Sequence, residues 1–381
     1  MRFTTSSTAP WPPQGTQPRD GRPADRPGRH ARHARPAGAA GPAGAEAREH
    51  RWDIDVLRIV CSVAVIAIHT AGYLLTAVKH DPDRGLASYW LGTGLDGLTR
   101  FAVPLFFAMA GWAVLVGSPP RSGTVLRKRL VRVFVPMVVW TVFYLVWAAY
   151  VDDPPGIAGL TRDALFGSIR PAYHLWYLYS YIPLILLLGL VALLRSSARP
   201  WGAAIAVLLL GAAPYALGDL STATGWHFPA WKWQFAAYQA GYAVIGALLL
   251  SIPRLRGRLW WVAAVVLLTP AVAVYQDQVK FPVPYGSLLV AALSVAVLMS
   301  LLRIRVPERL RPWVSKLSAA SFGAYLVHLV ILRPVSDQLL SAGHGWAAAI
   351  GATLACVLIT SVVAFGLTML WQKAKLERLL G

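Results

Sequence analysis

The chain of 381 residues is 56% hydrophobic and only 14% charged, with a mean hydropathy of +0.51. An ordinary soluble domain is roughly one-quarter charged, so composition argues against a soluble enzyme. The net charge of +19 and pI of about 10.4 would suggest nucleic acid in a soluble protein. Here the basic residues fall in short loops and one tail, which is the pattern of membrane orientation. The expected partner is a lipid bilayer and not a nucleic acid.

Residues 1–50 are rich in Pro, Gly, Ala and Arg and hold almost no large aliphatic side chains. Such a segment cannot bury a core, so a disordered basic cytoplasmic tail is expected. No apolar stretch precedes Ile54, so no cleavable signal peptide is expected. Residues 51–381 are expected to form an all-α domain, a polytopic membrane helix bundle of about ten transmembrane helices. The apolar segments are 54–78, 94–117, 131–150, 172–194, 201–217, 233–251, 259–275, 284–302, 317–340 and 346–372. With the N-terminus inside, the cytoplasmic loops and C-terminus carry eighteen Lys and Arg and the outer loops six. That bias places both termini in the cytoplasm of a cell whose inner (plasma) membrane holds the chain. Tryptophans near the segment ends, Trp52, Trp90 and Trp201 among them, suit interfacial anchors.

Charged and titratable side chains inside apolar segments are costly and usually functional. The first segment reads IDVLRIVCSVAVIAIHTAGY, with Arg58 near its cytoplasmic end and His69 eleven residues on. Eleven steps of about 100° fall about 20° from three full turns, so both residues share one face, about 16 Å apart along the axis. A long ligand with an anionic head and a reactive far end fits that spacing. The second segment holds Asp96 and Arg100, four apart, which can pair with each other or serve His69 and substrate. The next loop, RSGTVLRKRLVRVFVP, crowds Arg127, Lys128, Arg129 and Arg132 at a helix entrance. Guanidinium forks suit phosphate oxygens, and positive-inside orientation alone also accounts for them. His174 opens HLWYLYSYIPLIL and His328 lies within SFGAYLVHLVIL. Cys61 and Cys356 sit in apolar runs and suggest neither a disulfide nor a zinc site. No metal or permanently bound cofactor is expected.

Taken together, DVLRIVCSVAVIAIHTAGY, VPLFFAMAGW, RKRLVRVFVP, HLWYLYSYIPL and SFGAYLVHLVIL resemble, in order over residues 50 to 372, the motifs of the acyltransferase-3 family of integral membrane acyltransferases. Arg58 and His69 match its basic residue and histidine, and Arg129 and Arg132 its Arg-x-x-Arg loop. Ala110 stands where the family often has Ser before the Gly. The resemblance implies transfer of an acyl group, commonly acetyl, from cytoplasmic acyl-CoA as co-substrate to a hydroxyl of a carbohydrate, cell-envelope or natural-product acceptor, glycan or lipid-linked species included. It makes His69 and Arg58 catalytic candidates. Arg129, Arg132, Asp96, Arg100, His174, Trp176, Tyr325 and His328 become candidates for substrate binding. His69 would act as general base, or accept the acyl group and relay it. The competing expectations are a secondary transporter or flippase, although no paired halves are visible, and a membrane sensor without turnover.

Overall fold

A computed structural model describes residues 50–151, 157–168, 170–196, 199–253 and 257–381. The tail expected at residues 1–50 lies, but for His50, outside the described residues. Within them the chain is helical and contains no strand. The order is α1 (Trp52–Ala77), α2 (Leu86–Thr99), α3 (Ala102–Trp112), α4 (Gly123–Val151), α5 (Ile157–Leu165), α6 (Trp176–Arg195), α7 (Trp201–Thr224), α8 (Ala237–Leu249), α9 (Arg258–Gln278), α10 (Leu288–Leu301), α11 (Arg311–Leu339) and α12 (Trp346–Lys373). Among the described residues, eight stretches are long and apolar enough to cross a bilayer, α2 and α3 together making one. The remaining two apolar segments of the sequence are the shorter α8 and α10, of 13 and 14 residues. Each rises only about 20 Å, less than the hydrocarbon thickness. The result is an all-α polytopic bundle.

The second expected span, 94–117, starts earlier and is broken. α2 begins at Leu86 and stops at Thr99, and α3 restarts at Ala102. Pro104 has no N–H for the carbonyl of Arg100, four residues back, and its ring crowds that turn. A π-helical turn, Ala113–Gly117, follows α3. The third span starts at Gly123 rather than at 131. The helix therefore carries Arg127, Lys128, Arg129 and Arg132 on its first turns instead of in a loop.

The centre of the bundle is α1, packed by α2, α3, α11 and α12. Its two acids are buried and anchored. Asp53 receives Arg51 and the backbone N–H of Arg303, each at 2.8 Å. Asp55 accepts from the Ser318 hydroxyl at 2.6 Å and pairs with His50 at 2.6 Å and Arg58 at 3.5 Å. Asp55 meets Ser318 at one end and His69 meets His328 further along, so α1 and α11 run parallel. At the α3–α8 crossing the backbones nearly touch. A Cβ on Gly111 would lie 2.0 Å from the Ala243 carbonyl oxygen, and one on Gly246 2.3 Å from the Ala108 Cα. Small residues allow such approach where packing, not water exclusion, joins helices. At the periphery, α7 buries no residue and turns Leu208, Leu209 and Tyr215 outward. Lipid tails are as apolar as these side chains, so such a face suits a bilayer.

Candidate active site

Between α1, α3, α4, α6 and α11 lies a cavity of about 400 Å³. Arg58, Arg132 and Ser318 line one end of it. His69, His174, Trp176 and Tyr325 line it further along. On α1 the two ends are separated by eleven residues, about 16 Å of helix rise. Between them the wall is apolar, with Val65, Phe106, Met109 and Ala110 among its residues. The cavity thus joins an exposed cationic mouth to an imidazole inside the bundle.

His69 does not stand alone. Its ring stacks on that of His328 at a centroid distance of 5.1 Å, and His174 lies 5.0 Å from His328 and 6.4 Å from His69. Three helical elements supply these rings: α1, the 3-10 turn Arg170–Leu175 that leads into α6, and α11. Nδ1 of His69 lies 3.0 Å from the Tyr173 hydroxyl, and Nε2 makes no hydrogen bond among the described residues. With Nδ1–H donating to Tyr173, Nε2 keeps its lone pair for a proton or an acyl carbon. His328 is fully buried, its Nδ1 2.6 Å from the carbonyl of Tyr325, while its Nε2 has no hydrogen-bond partner among the described residues. The Tyr325 hydroxyl donates to the His174 carbonyl at 2.5 Å, fastening α11 to the turn before α6. Among the described residues no His, Cys, Asp and Glu group of three has the arrangement of a metal site.

The other candidates divide. Trp176 stacks on Tyr285, centroids 5.8 Å apart, and both line the cavity. Arg132 lies at the cavity mouth, exposed, with no ion-pair partner among the described residues. Arg129 is turned instead to the end of the π-turn, where Nη2 donates to the Ser118 carbonyl at 2.6 Å and its hydroxyl at 3.2 Å. Its Nη1 is buried with no hydrogen-bond partner among the described residues. Asp96 and Arg100 form a buried bidentate pair, at 2.6 and 2.8 Å, and stand behind the cavity wall. The Arg100 guanidinium lies 5.1 Å over the Tyr285 ring and reaches the cavity through it. Tyr173, Tyr285 and Ser318 were not among the sequence candidates. Tyr173 directly precedes His174 in the chain, and that adjacency was its one available signal.

Comparison with known proteins gives one result that bears on this geometry. Neither curated proteins nor solved structures yield a match. The acyltransferase-3 family, described as an acyltransferase domain, matches residues 51–368, which include every helix that lines the cavity. A multi-pass helix bundle with an imidazole at the end of an internal cavity accords with that assignment, and the chain belongs to the acyltransferase-3 family of membrane acyltransferases.

Proposed function

We propose that the protein transfers an acyl group, acetyl in the first instance, from cytoplasmic acyl-CoA to a hydroxyl of a carbohydrate, cell-envelope or natural-product acceptor. The observation that carries this reading is one continuous cavity lined by Arg58 and Arg132 at one end and His69 at the other. Guanidinium groups hold the phosphates of CoA in bidentate fashion at the mouth. The pantetheine arm follows the apolar wall past Val65 and Met109 and brings the thioester to His69. Positive-inside counting supports an orientation with that mouth, and both termini, on the cytoplasmic face of the plasma membrane.

The chemistry balances without a further reagent. His69 Nε2 takes the proton of the acceptor hydroxyl as its oxygen attacks the thioester carbon. A carbon–oxygen bond forms, the carbon–sulfur bond breaks, and the proton passes from the imidazolium to the departing thiolate. Tyr173 keeps Nδ1 protonated and the ring oriented, as the third group of a nucleophile–base pair does. The test is release of free CoA from acetyl-CoA by purified protein, stimulated by acceptor. A transporter or flippase would bind substrate without releasing CoA.

A further inference from the structure

Attack on a thioester carbonyl places negative charge on its oxygen, and a water-excluded site stabilises that charge only with a donor already in place. The two cations that line the cavity, Arg58 and Arg132, stand at its mouth. About 16 Å of helix rise separates that end from His69. The deep end has a cation behind its wall instead. Arg100, at the break between α2 and α3, spends Nε and Nη2 on Asp96. Its guanidinium also faces Tyr285, lying 5.1 Å over the ring and donating to the hydroxyl oxygen. The charge of Arg100 reaches His69 as well.

Tyr285 lines the cavity and is held in place. It belongs to the segment that joins α9 to α10, which is pinned along its length. The Val283 N–H donates to the Gln276 amide oxygen at 3.3 Å, and the Tyr242 hydroxyl donates to the Tyr285 carbonyl at 2.6 Å. The Val290 N–H donates to the Ser287 hydroxyl at 3.2 Å, where α10 begins. A phenol has one proton to give and lone pairs to receive with. With Arg100 on a lone pair the proton is left over, and among the described residues no acceptor takes it. A hydroxyl whose oxygen already receives a charged hydrogen bond is the stronger donor for it. His174 is the rival donor, because its ring lines the same end with neither nitrogen hydrogen-bonded among the described residues. That ring, however, lies toward the Leu326 carbonyl. We infer that Tyr285 is a catalytic residue whose O–H donates to the thioester carbonyl oxygen and to the oxyanion it becomes, and that Arg100 is the residue that positions and polarises it. The Tyr285 proton stays on its oxygen throughout, and the bonds that form and break are those described for His69. A buried ion pair, costly inside a membrane, thereby gains a reason to stand behind an aromatic wall. The assignment rests on the acyl-CoA reading above and adds the group that meets the developing charge.

The test uses the full-length protein in lipid nanodiscs and acetyl-CoA carrying carbon-13 at the thioester carbonyl. Isotope-edited infrared spectroscopy reads the carbonyl stretch of the bound thioester, with no acceptor added. A donor on the oxygen weakens the C=O bond and lowers that frequency. Tyr285→Phe keeps the ring and removes the hydroxyl, so the band is expected to rise. Turnover is followed as CoA release with water and with glycerol as hydroxyl probes. Tyr285→Phe is expected to lower kcat about 10²–10³-fold, with a much smaller change in the acetyl-CoA KM. Arg100→Lys keeps a cation for Asp96 but lacks the fork that also reaches Tyr285. It is expected to raise the band and lower kcat, and to add little to either when combined with Tyr285→Phe. A band that Tyr285→Phe leaves unchanged overturns the inference. So does a band that moves in His174→Phe and not in Tyr285→Phe, or an Arg100→Lys loss that adds in full to that of Tyr285→Phe. Should Arg100→Lys fail to fold, the Tyr285→Phe band decides alone. Failure of the acyl-CoA reading itself looks different: the wild-type protein then shows no band of a bound thioester and releases no CoA.

Discussion

The Asp96–Arg100 pair permits a quantitative test of how the bundle is held. Its side chains are 6% and 8% exposed, and the guanidinium makes two bonds to the carboxylate at 2.6 and 2.8 Å. At an effective dielectric of 20, charges about 4 Å apart attract by about 4 kcal/mol, while desolvation costs several kcal/mol for each ion. The pair is therefore near balance as a unit, and either partner alone is not. Arg100→Met leaves a buried carboxylate and Asp96→Leu a buried guanidinium. Each single change is expected to cost about 3–5 kcal/mol, a large part of an ordinary stability of 5–15 kcal/mol. The double change is expected to recover most of that loss. The assay is a double-mutant cycle from unfolding of the detergent-solubilised protein, followed by tryptophan fluorescence. Single variants each within 1 kcal/mol of the wild type, or losses that simply add in the double variant, would refute the reasoning.

Other consequences can be checked alongside. Gly246→Ala places a Cβ 2.3 Å from the Ala108 backbone and must push α3 from α8. It is expected to cost about 1–3 kcal/mol or more in the same unfolding assay, whereas Gly241→Ala, in open space on the same helix, changes little. Arg58→Gln with Arg132→Gln is expected to raise the acyl-CoA KM roughly tenfold or more and to weaken its salt dependence, with a smaller effect on kcat. Tyr173→Phe removes the hydroxyl from Nδ1 of His69 and is expected to lower kcat about tenfold with the acyl-CoA KM unchanged, measured as CoA release.

Much of the fold was legible because a bilayer imposes a simple rule, that a span be long and apolar, and the ten apolar segments reappear as helices. Their ends were less legible. Basic residues argued for a loop at 127–132, yet Lys and Arg are good helix formers, and tertiary packing extends α4 over them. The break between α2 and α3 could be read from Pro104 only once the helix direction and its four-residue reach were known. Within the site, the shared face of Arg58 and His69 followed from helical periodicity, and both line one cavity. The pairing of Asp96 with Arg100 likewise followed from their spacing of four. What could not be read was the meeting of His69, His174 and His328, which come from elements far apart in the chain. Nor could Arg129 be separated from Arg132. The difference between them is a carbonyl exposed at the end of the π-turn, which takes a hydrogen bond from the Arg129 guanidinium.

The central claim is that the imidazole of His69 performs the proton or acyl transfer at the end of a route open to acyl-CoA. Its most direct test compares wild type and His69→Ala for acceptor-stimulated CoA release, with acyl-CoA binding and the unfolding transition measured on the same preparations. The expected result is a loss of about 10²–10⁴ in turnover with binding and folding retained. A folded His69→Ala protein that transfers at the wild-type rate would contradict it.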